Sequence, residues 1–332
     1  MLNNLIWIVN IVSSGYVPES VCEYFGYLIY SARLMTSVNV TPGKVYSRDG
    51  LELDTLLFEP KRKTRRAIVH IHGITSHYLQ NHFIAHMSRV YPDNGYAFMT
   101  FNNRGHDYIA DVIKTGLAGA DRVQKGSAFD ILEECIFDID PIFDYLKARD
   151  YDEFILQGHS LGVLKACYYL STRKNNPVTS TILLSPMDVI YLLDSQVKDW
   201  KYWRDAAKNM IEGGRGQQFM GVKIWLDVPI SADTYWNYTR EDSNMWMFNF
   251  SNLNKEFIHV NKIKIPALYV LPEMDNIAIS LPKDQAKTEL KRRVSGRSVK
   301  IEVLPLSGHG YWGHEDRLME VITNWLKTHE RK

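Results

Sequence analysis

Six short apolar runs, at 67–71, 97–101, 154–157, 181–184, 267–271 and 299–304, recur along the chain. Amphipathic helical stretches lie between and after them, near 78–90, 129–148, 161–171, 282–291 and 314–327. Runs that are apolar throughout, rather than at alternate positions, suit strands buried on both faces, and alternation with helices joins such strands in parallel. The rhythm therefore predicts an α/β chain built on a mostly parallel, doubly wound sheet. Sheets of this kind gather their functional groups in the loops beyond the strand C-termini. Ahead of the rhythm, 45–47, the turn Arg48-Asp49-Gly50 and the alternating stretch 51–58 read as a hairpin.

The rhythm breaks between about Met187 and Phe257. This stretch holds five of the chain's eight tryptophans (Trp200, Trp203, Trp225, Trp236 and Trp246). Its first half is helical through 199–211, and Gly213-Gly214-Arg215-Gly216 then interrupts it. We read 187–257 as a helical, aromatic-rich cap inserted after the 181–184 strand, the sixth when the two hairpin strands are counted, with 41–186 and 258–332 forming the core. Residues 1–40 are an apolar extension, dense around Tyr24-Phe25-Gly26-Tyr27-Leu28-Ile29-Tyr30. That extension suits either a helix against the body or part of a substrate-covering lid.

With 39 Lys+Arg against 38 Asp+Glu, the 332-residue chain carries a formal net charge of +1. The long-range field that holds nucleic acid or an anionic membrane is missing, so neither is an expected partner. Cys22, Cys135 and Cys167 are odd in number and form no C-x-x-C pair, which predicts free buried thiols in a reducing compartment. The run at 5–12 resembles a signal-peptide core, yet no Lys or Arg precedes Arg33 and the run is too short to span a bilayer. A cytoplasmic protein is expected, with secretion or membrane association through this run as the alternative.

Chemistry concentrates at Gly158-His159-Ser160-Leu161-Gly162, where a strand ends at the first glycine and a helix starts after the serine. A turn this sharp strains the serine backbone and crowds its neighbours, so glycines at both flanks leave the hydroxyl room above the sheet. Ser160 is thus the candidate nucleophile, and His159 a packing residue. A serine hydroxyl needs a base to take its proton. His309, on the glycine-flanked loop Ser307-Gly308-His309-Gly310 after the last strand, is the candidate; His314, nearer the final helix, is its rival. The group that orients the imidazole should follow the preceding strand, where Asp275 is favoured and Glu273 is the near alternative. Asp188 is a more distant alternative that reads better as a helix N-cap.

The oxyanion of an acyl-transfer intermediate also needs donors. The N–H of Leu161 is one candidate. The N–H of Ile74, on the loop His72-Gly73-Ile74-Thr75 after the 67–71 strand, is the other, with His72 holding that loop. His82 and His86 stand four apart on a helix but lack the glutamate of H-E-x-x-H, so no metal and no cofactor are expected.

Together these residues resemble the α/β-hydrolase superfamily over roughly 44–327. The His72-Gly73 loop, the 158–162 elbow, Asp275 and His309 fall where that superfamily carries its oxyanion loop and triad, in the order Ser160, Asp275, His309. More narrowly, Asn103-Arg104-Gly105-His106-Asp107, the elbow with Lys165, and Leu184-Ser185-Pro186-Met187-Asp188 look similar to hydrolases related to fusarinine C esterase. In superfamily members the loop around Arg104 braces the floor of the active site, which agrees with reading Arg104 as paired to an acid. The resemblance implies an α/β-hydrolase fold and cleavage of a carboxylic ester, and the tryptophans and tyrosines of the cap suggest a small to medium apolar or aromatic substrate. Thioester, amide or C–C hydrolysis and acyl transfer would use the same residues, and a ligand-sensing protein could keep the fold without turnover. The residues do not fix an oligomeric state.

Overall fold

The computed structural model describes residues 38–294, 296 and 298–329. The apolar extension, all but its last three residues, therefore lies outside the described residues. These form an eight-stranded sheet in the order β1 (Asn39–Tyr46), β2 (Glu52–Glu59), β4 (Ala97–Phe101), β3 (Arg66–Ile71), β7 (Glu153–His159), β8 (Val178–Leu184), β11 (Ala267–Pro272) and β12 (Val299–Leu304). β2 pairs antiparallel with both β1 and β4, and every pairing from β4 to β12 is parallel. The 45–58 hairpin and the six apolar runs all lie in this sheet.

Helices cover both faces, as two-sided burial of the strands demands. On one face, α1 (His82–Asp93) and α8 (Glu315–His329) set Phe83, Met87, Tyr91, Leu318, Ile322 and Trp325 against Ile68, Phe98, Ile182 and Val270. On the other, α2 (Cys135–Lys147) and α3 (Leu161–Thr172) pack Phe143, Leu146, Leu164 and Cys167 onto Val69, Leu156 and Leu183. Each such large apolar side chain contributes about 1.5–3 kcal/mol on burial. Cys135 and Cys167 are free, buried thiols. Among the described residues no helix is long and apolar enough to cross a membrane.

Between β8 and β11 the chain leaves the sheet for α4 (Val189–Gln196), α5 (Trp200–Glu212), the ribbon β9 (Phe219–Ile224) and β10 (Val228–Ser231), and α6 (Ala232–Thr239). Ser231 caps α6, its hydroxyl accepting from the Thr234 N–H at 3.2 Å. The aromatic residues of this stretch pack largely on one another: Trp200 meets Trp246 edge-on, and Trp225 stacks on Tyr238. Glu133, from the core, accepts Asn237, Arg240 and Asn244 of the insertion at 2.6, 2.9 and 2.6 Å. The remaining helix, α7 (Lys283–Arg293), lies between β11 and β12.

Helix α2 begins at Cys135 rather than near Phe129, after short 3-10 turns at Ser127–Phe129 and Leu132–Glu134, and the insertion carries a strand ribbon besides helices. Two further features differ from the sequence expectation. Helix α1 begins at His82 rather than near Tyr78, because the Tyr78 N–H is taken by Asn102 Oδ1 at 3.0 Å and its carbonyl by the Thr100 hydroxyl at 2.9 Å. The other is an unanticipated hairpin, β5 (Ala110–Gly116) with β6 (Gly119–Lys125). Its residues are mostly exposed and five of the fourteen are charged, so they offer no apolar alternation to read.

Candidate active site

Strand β7 stops at His159 and α3 starts at Leu161, leaving Ser160 alone at the turn with φ 57° and ψ −122°. Such a backbone is costly for a residue with a Cβ and persists only when its surroundings enforce it. They do so here through main chain packed on main chain. A Cβ on Gly158 would sit 2.2 Å from the Gly162 carbonyl oxygen, and one on Gly162 would sit 2.1 Å from that of Ile71. The glycines are required for space. The Ser160 N–H donates to Leu184 O at 3.0 Å, tying the turn to β8.

His309 lies on the loop after β12. Its Nδ1 is 2.6 Å from Asp275 Oδ2, on the loop after β11, and Asp275 Oδ1 accepts the Ala278 N–H at 3.2 Å. Burial pushes the Asp275 carboxyl up. The His309 hydrogen bond, the imidazole's charge and the Ala278 N–H outweigh it and hold the carboxyl below its ordinary value. The His309 carbonyl accepts two hydrogen bonds, from the Ser185 hydroxyl at 2.8 Å and from His159 Nε2 at 2.9 Å. Burial, with the neighbouring His309, lowers the His159 pKa to about 3, so its ring is neutral and carries its proton on Nε2. The rings of His159 and His309 are 5.2 Å apart, which brings the base candidate beside the elbow. The Ser160 hydroxyl itself points to Met187 Sδ, at 3.9 Å, and makes no hydrogen bond to His309 among the described residues.

On the opposite side of Ser160 runs the loop after β3. A Cβ on Gly73 would lie 3.0 Å from Ser160 Cβ and 3.5 Å from its Oγ, so only glycine lets the loop approach this closely without displacing the serine. His72 holds the loop from behind. Its Nδ1–H donates to Gly73 O at 2.9 Å and its Nε2 accepts the Asn103 N–H at 3.2 Å; burial keeps the ring neutral. Asn103 Oδ1 accepts from Lys165 Nζ at 2.8 Å, and that ammonium pairs with Asp130 at 2.6 Å. Among the described residues neither the Ile74 N–H nor the Leu161 N–H has an acceptor. Leu161 directly follows Ser160, and Ile74 directly follows Gly73, whose backbone approaches the Ser160 side chain.

The other candidates fall elsewhere. Glu273 accepts the Leu306 N–H at 2.8 Å, bracing the His309 loop from its far end. Asp188 caps α4, accepting the Tyr191 N–H at 3.1 Å, and also takes the Ser251 N–H at 2.6 Å. His314 precedes α8, its N–H bonded to Tyr311 O. Arg104 is buried among Asp138, Asp49 and Glu134, at 2.8, 2.7 and 2.6 Å. His86 faces Asp316 at 3.5 Å, and His82 packs on Trp312. Among the described residues no group of three or more His, Cys, Asp or Glu side chains could hold a metal ion.

Residues 62–210 match the family model described as serine aminopeptidase, S33. No curated protein sequence matches the chain. Among solved structures, Est1E of Butyrivibrio proteoclasticus, solved with ferulic acid bound, aligns over 87% of this chain and 100% of its own at 17% identity and a TM-score of 0.61. An esterase of Pyrococcus furiosus aligns over 88% of this chain and 92% of its own, at 15% identity and a TM-score of 0.57. The siderophore hydrolase EstB of Aspergillus fumigatus covers 84% and 94%, at 12% identity and a TM-score of 0.59. The chain has the α/β-hydrolase fold.

Three features of this site escaped the sequence reading: the contact of Met187 with Ser160, the double bracing of the His309 carbonyl, and the Lys165–Asp130 pair. The last had a local signal, since Lys165 interrupts the apolar stretch Val163-Leu164-Lys165-Ala166-Cys167. A charge in the middle of a helix face otherwise buried requires a partner.

Proposed function

We propose that this chain of α/β-hydrolase fold is a serine esterase that cleaves a small-molecule carboxylic ester through an acyl-enzyme. Ser160 Oγ, rotating from Met187 toward His309, gives its proton to His309 Nε2 as it attacks the ester carbonyl. Asp275, on Nδ1, holds the ring in the required tautomer and stabilises the imidazolium. The N–H groups of Leu161 and Ile74 receive the oxyanion. His309 returns the proton to the departing alkoxide, and water, activated by the same imidazole, releases the acid and restores the serine. The insertion between β8 and β11 caps the site.

The observation that supports this reading is the strained backbone of Ser160 at the turn between β7 and α3, with the Asp275–His309 pair held on the loops after β11 and β12. Each oxyanion donor accounts for about 3–4 kcal/mol of barrier lowering. Ser160→Ala should abolish both p-nitrophenyl ester turnover and labelling by a fluorophosphonate. Labelling retained by that variant refutes the assignment of the nucleophile. Thioester, amide and C–C hydrolysis would proceed on the same groups, and a substrate panel with a common acyl portion separates them.

A further inference from the structure

Resting on the esterase reading, we propose that Met187 determines acyl specificity and restricts the enzyme to esters of short, unbranched carboxylic acids. Met187 Sδ lies 3.9 Å from Ser160 Oγ, the atom that carries the acyl group between the two half-reactions. The carbonyl carbon of an acyl-enzyme is one bond from that oxygen and the next carbon two bonds away. Turning toward His309 swings Oγ about a fixed Cβ, so the thioether stays beside the serine and borders the first carbons of whatever acid is bound.

The nucleophile has little other room. Ser160 is 7% exposed and Met187 3%. The Gly73 backbone also comes close, since a Cβ there would lie 3.0 Å from Ser160 Cβ and 3.5 Å from its Oγ.

The wall cannot retreat as a whole, because the segment bearing it is tied at both ends. The Ser185 N–H donates to Val270 O at 3.0 Å and its hydroxyl to His309 O at 2.8 Å. The Asp188 N–H donates to Ala278 O at 2.9 Å, and its carboxylate accepts the Ser251 N–H at 2.6 Å. Only the Met187 side chain can yield. An unbranched thioether with three rotatable bonds can swing aside for a short chain, but a long one would have to displace it into packed neighbours. The bulk of a larger substrate must then lie on the alcohol side, which leaves before the acyl-enzyme is hydrolysed.

The test holds the leaving group constant and varies the acid. With p-nitrophenyl acetate, butyrate and octanoate, the wild-type enzyme should favour acetate or butyrate over octanoate by at least about tenfold in kcat/KM, since each ill-fitting methylene near a packed wall is worth about tenfold or more. Met187→Ala should narrow or invert that ratio by a similar factor. Met187→Val, which preserves more packing, should do so in part should the alanine variant fold poorly. Met187→Phe should steepen it. Octanoate turned over as well as acetate by the wild type overturns the proposal. So does a Met187 variant that changes all three esters by one common factor, the signature of a merely structural role. Loss of all Ser160-dependent turnover and labelling in the wild type is a different result, and would remove the esterase reading and this proposal together.

Discussion

Replacing Lys165 with methionine tests whether the oxyanion loop is held from behind by a buried charge. The Lys165 and Asp130 side chains are 2% and 1% exposed and 2.6 Å apart. Methionine nearly matches the length of lysine but leaves the Asp130 carboxylate without a cation, a situation that costs about 3–5 kcal/mol. Unfolding entropy near 2.1 cal/mol/K per residue, over roughly 300 ordered residues, gives about 0.6 kcal/mol per degree. Lys165→Met should therefore melt about 5–8 °C below wild type by calorimetry or circular dichroism. Asp130→Asn in the same chain should recover more than half of that loss, because it removes the uncompensated charge. Activity should fall independently of melting. Lys165 holds Asn103, whose N–H orients the His72 ring that fixes the Gly73 carbonyl. A displacement of about 1 Å in that loop would lower kcat about a hundredfold. A Lys165→Met enzyme that melts within 2 °C of wild type by this same scale, or a double variant less stable than the single one, refutes the reasoning.

Asp275→Asn should lower kcat by roughly four orders of magnitude, by leaving His309 in the wrong tautomer. It should also change how stability depends on pH. The native carboxyl is held below its ordinary value, so its contribution is complete above the unfolded pKa of about 3.9 and lost as pH falls through the lower folded value. The gap in melting temperature between wild type and Asp275→Asn should shrink between about pH 5 and pH 3; a constant gap contradicts the assignment. Glu133→Ala removes the acceptor for Asn237, Arg240 and Asn244 at once. With charged hydrogen bonds worth about 1.5–3 kcal/mol each, limited proteolysis within 187–257 should accelerate at least about tenfold. Unchanged cleavage would mean that other contacts hold the insertion.

What the sequence disclosed follows from how far each signal reaches along the chain. The strands at 67–71, 97–101, 154–157, 181–184, 267–271 and 299–304 announced themselves, because two-sided burial leaves an unbroken apolar run. The elbow was equally legible, since strand, glycines, serine and helix are contiguous. Asp275 and Glu273 share one loop, and spacing alone left both open; the fold sets them apart, placing His309 on Asp275 and the Leu306 N–H on Glu273. The β5–β6 hairpin stayed hidden because Asp111, Lys114, Asp121 and Arg122 meet water rather than a core. The pairing of Lys165 with Asp130 and the seating of Met187 on Ser160 are long-range events, set by which helices and strands lie side by side.

The crowding at Gly158 and Gly162 has a practical consequence for anyone wishing to reshape this protein. At those two places the room a side chain would need is already taken by peptide carbonyls, which cannot be repacked by mutation. Randomised libraries there would return misfolded chains. At Met187, by contrast, the atom that faces Ser160 belongs to a side chain and can be exchanged by substitution. The scaffold thus confines its rigidity to where the reacting atoms must line up and leaves the choice of what may be admitted open to engineering.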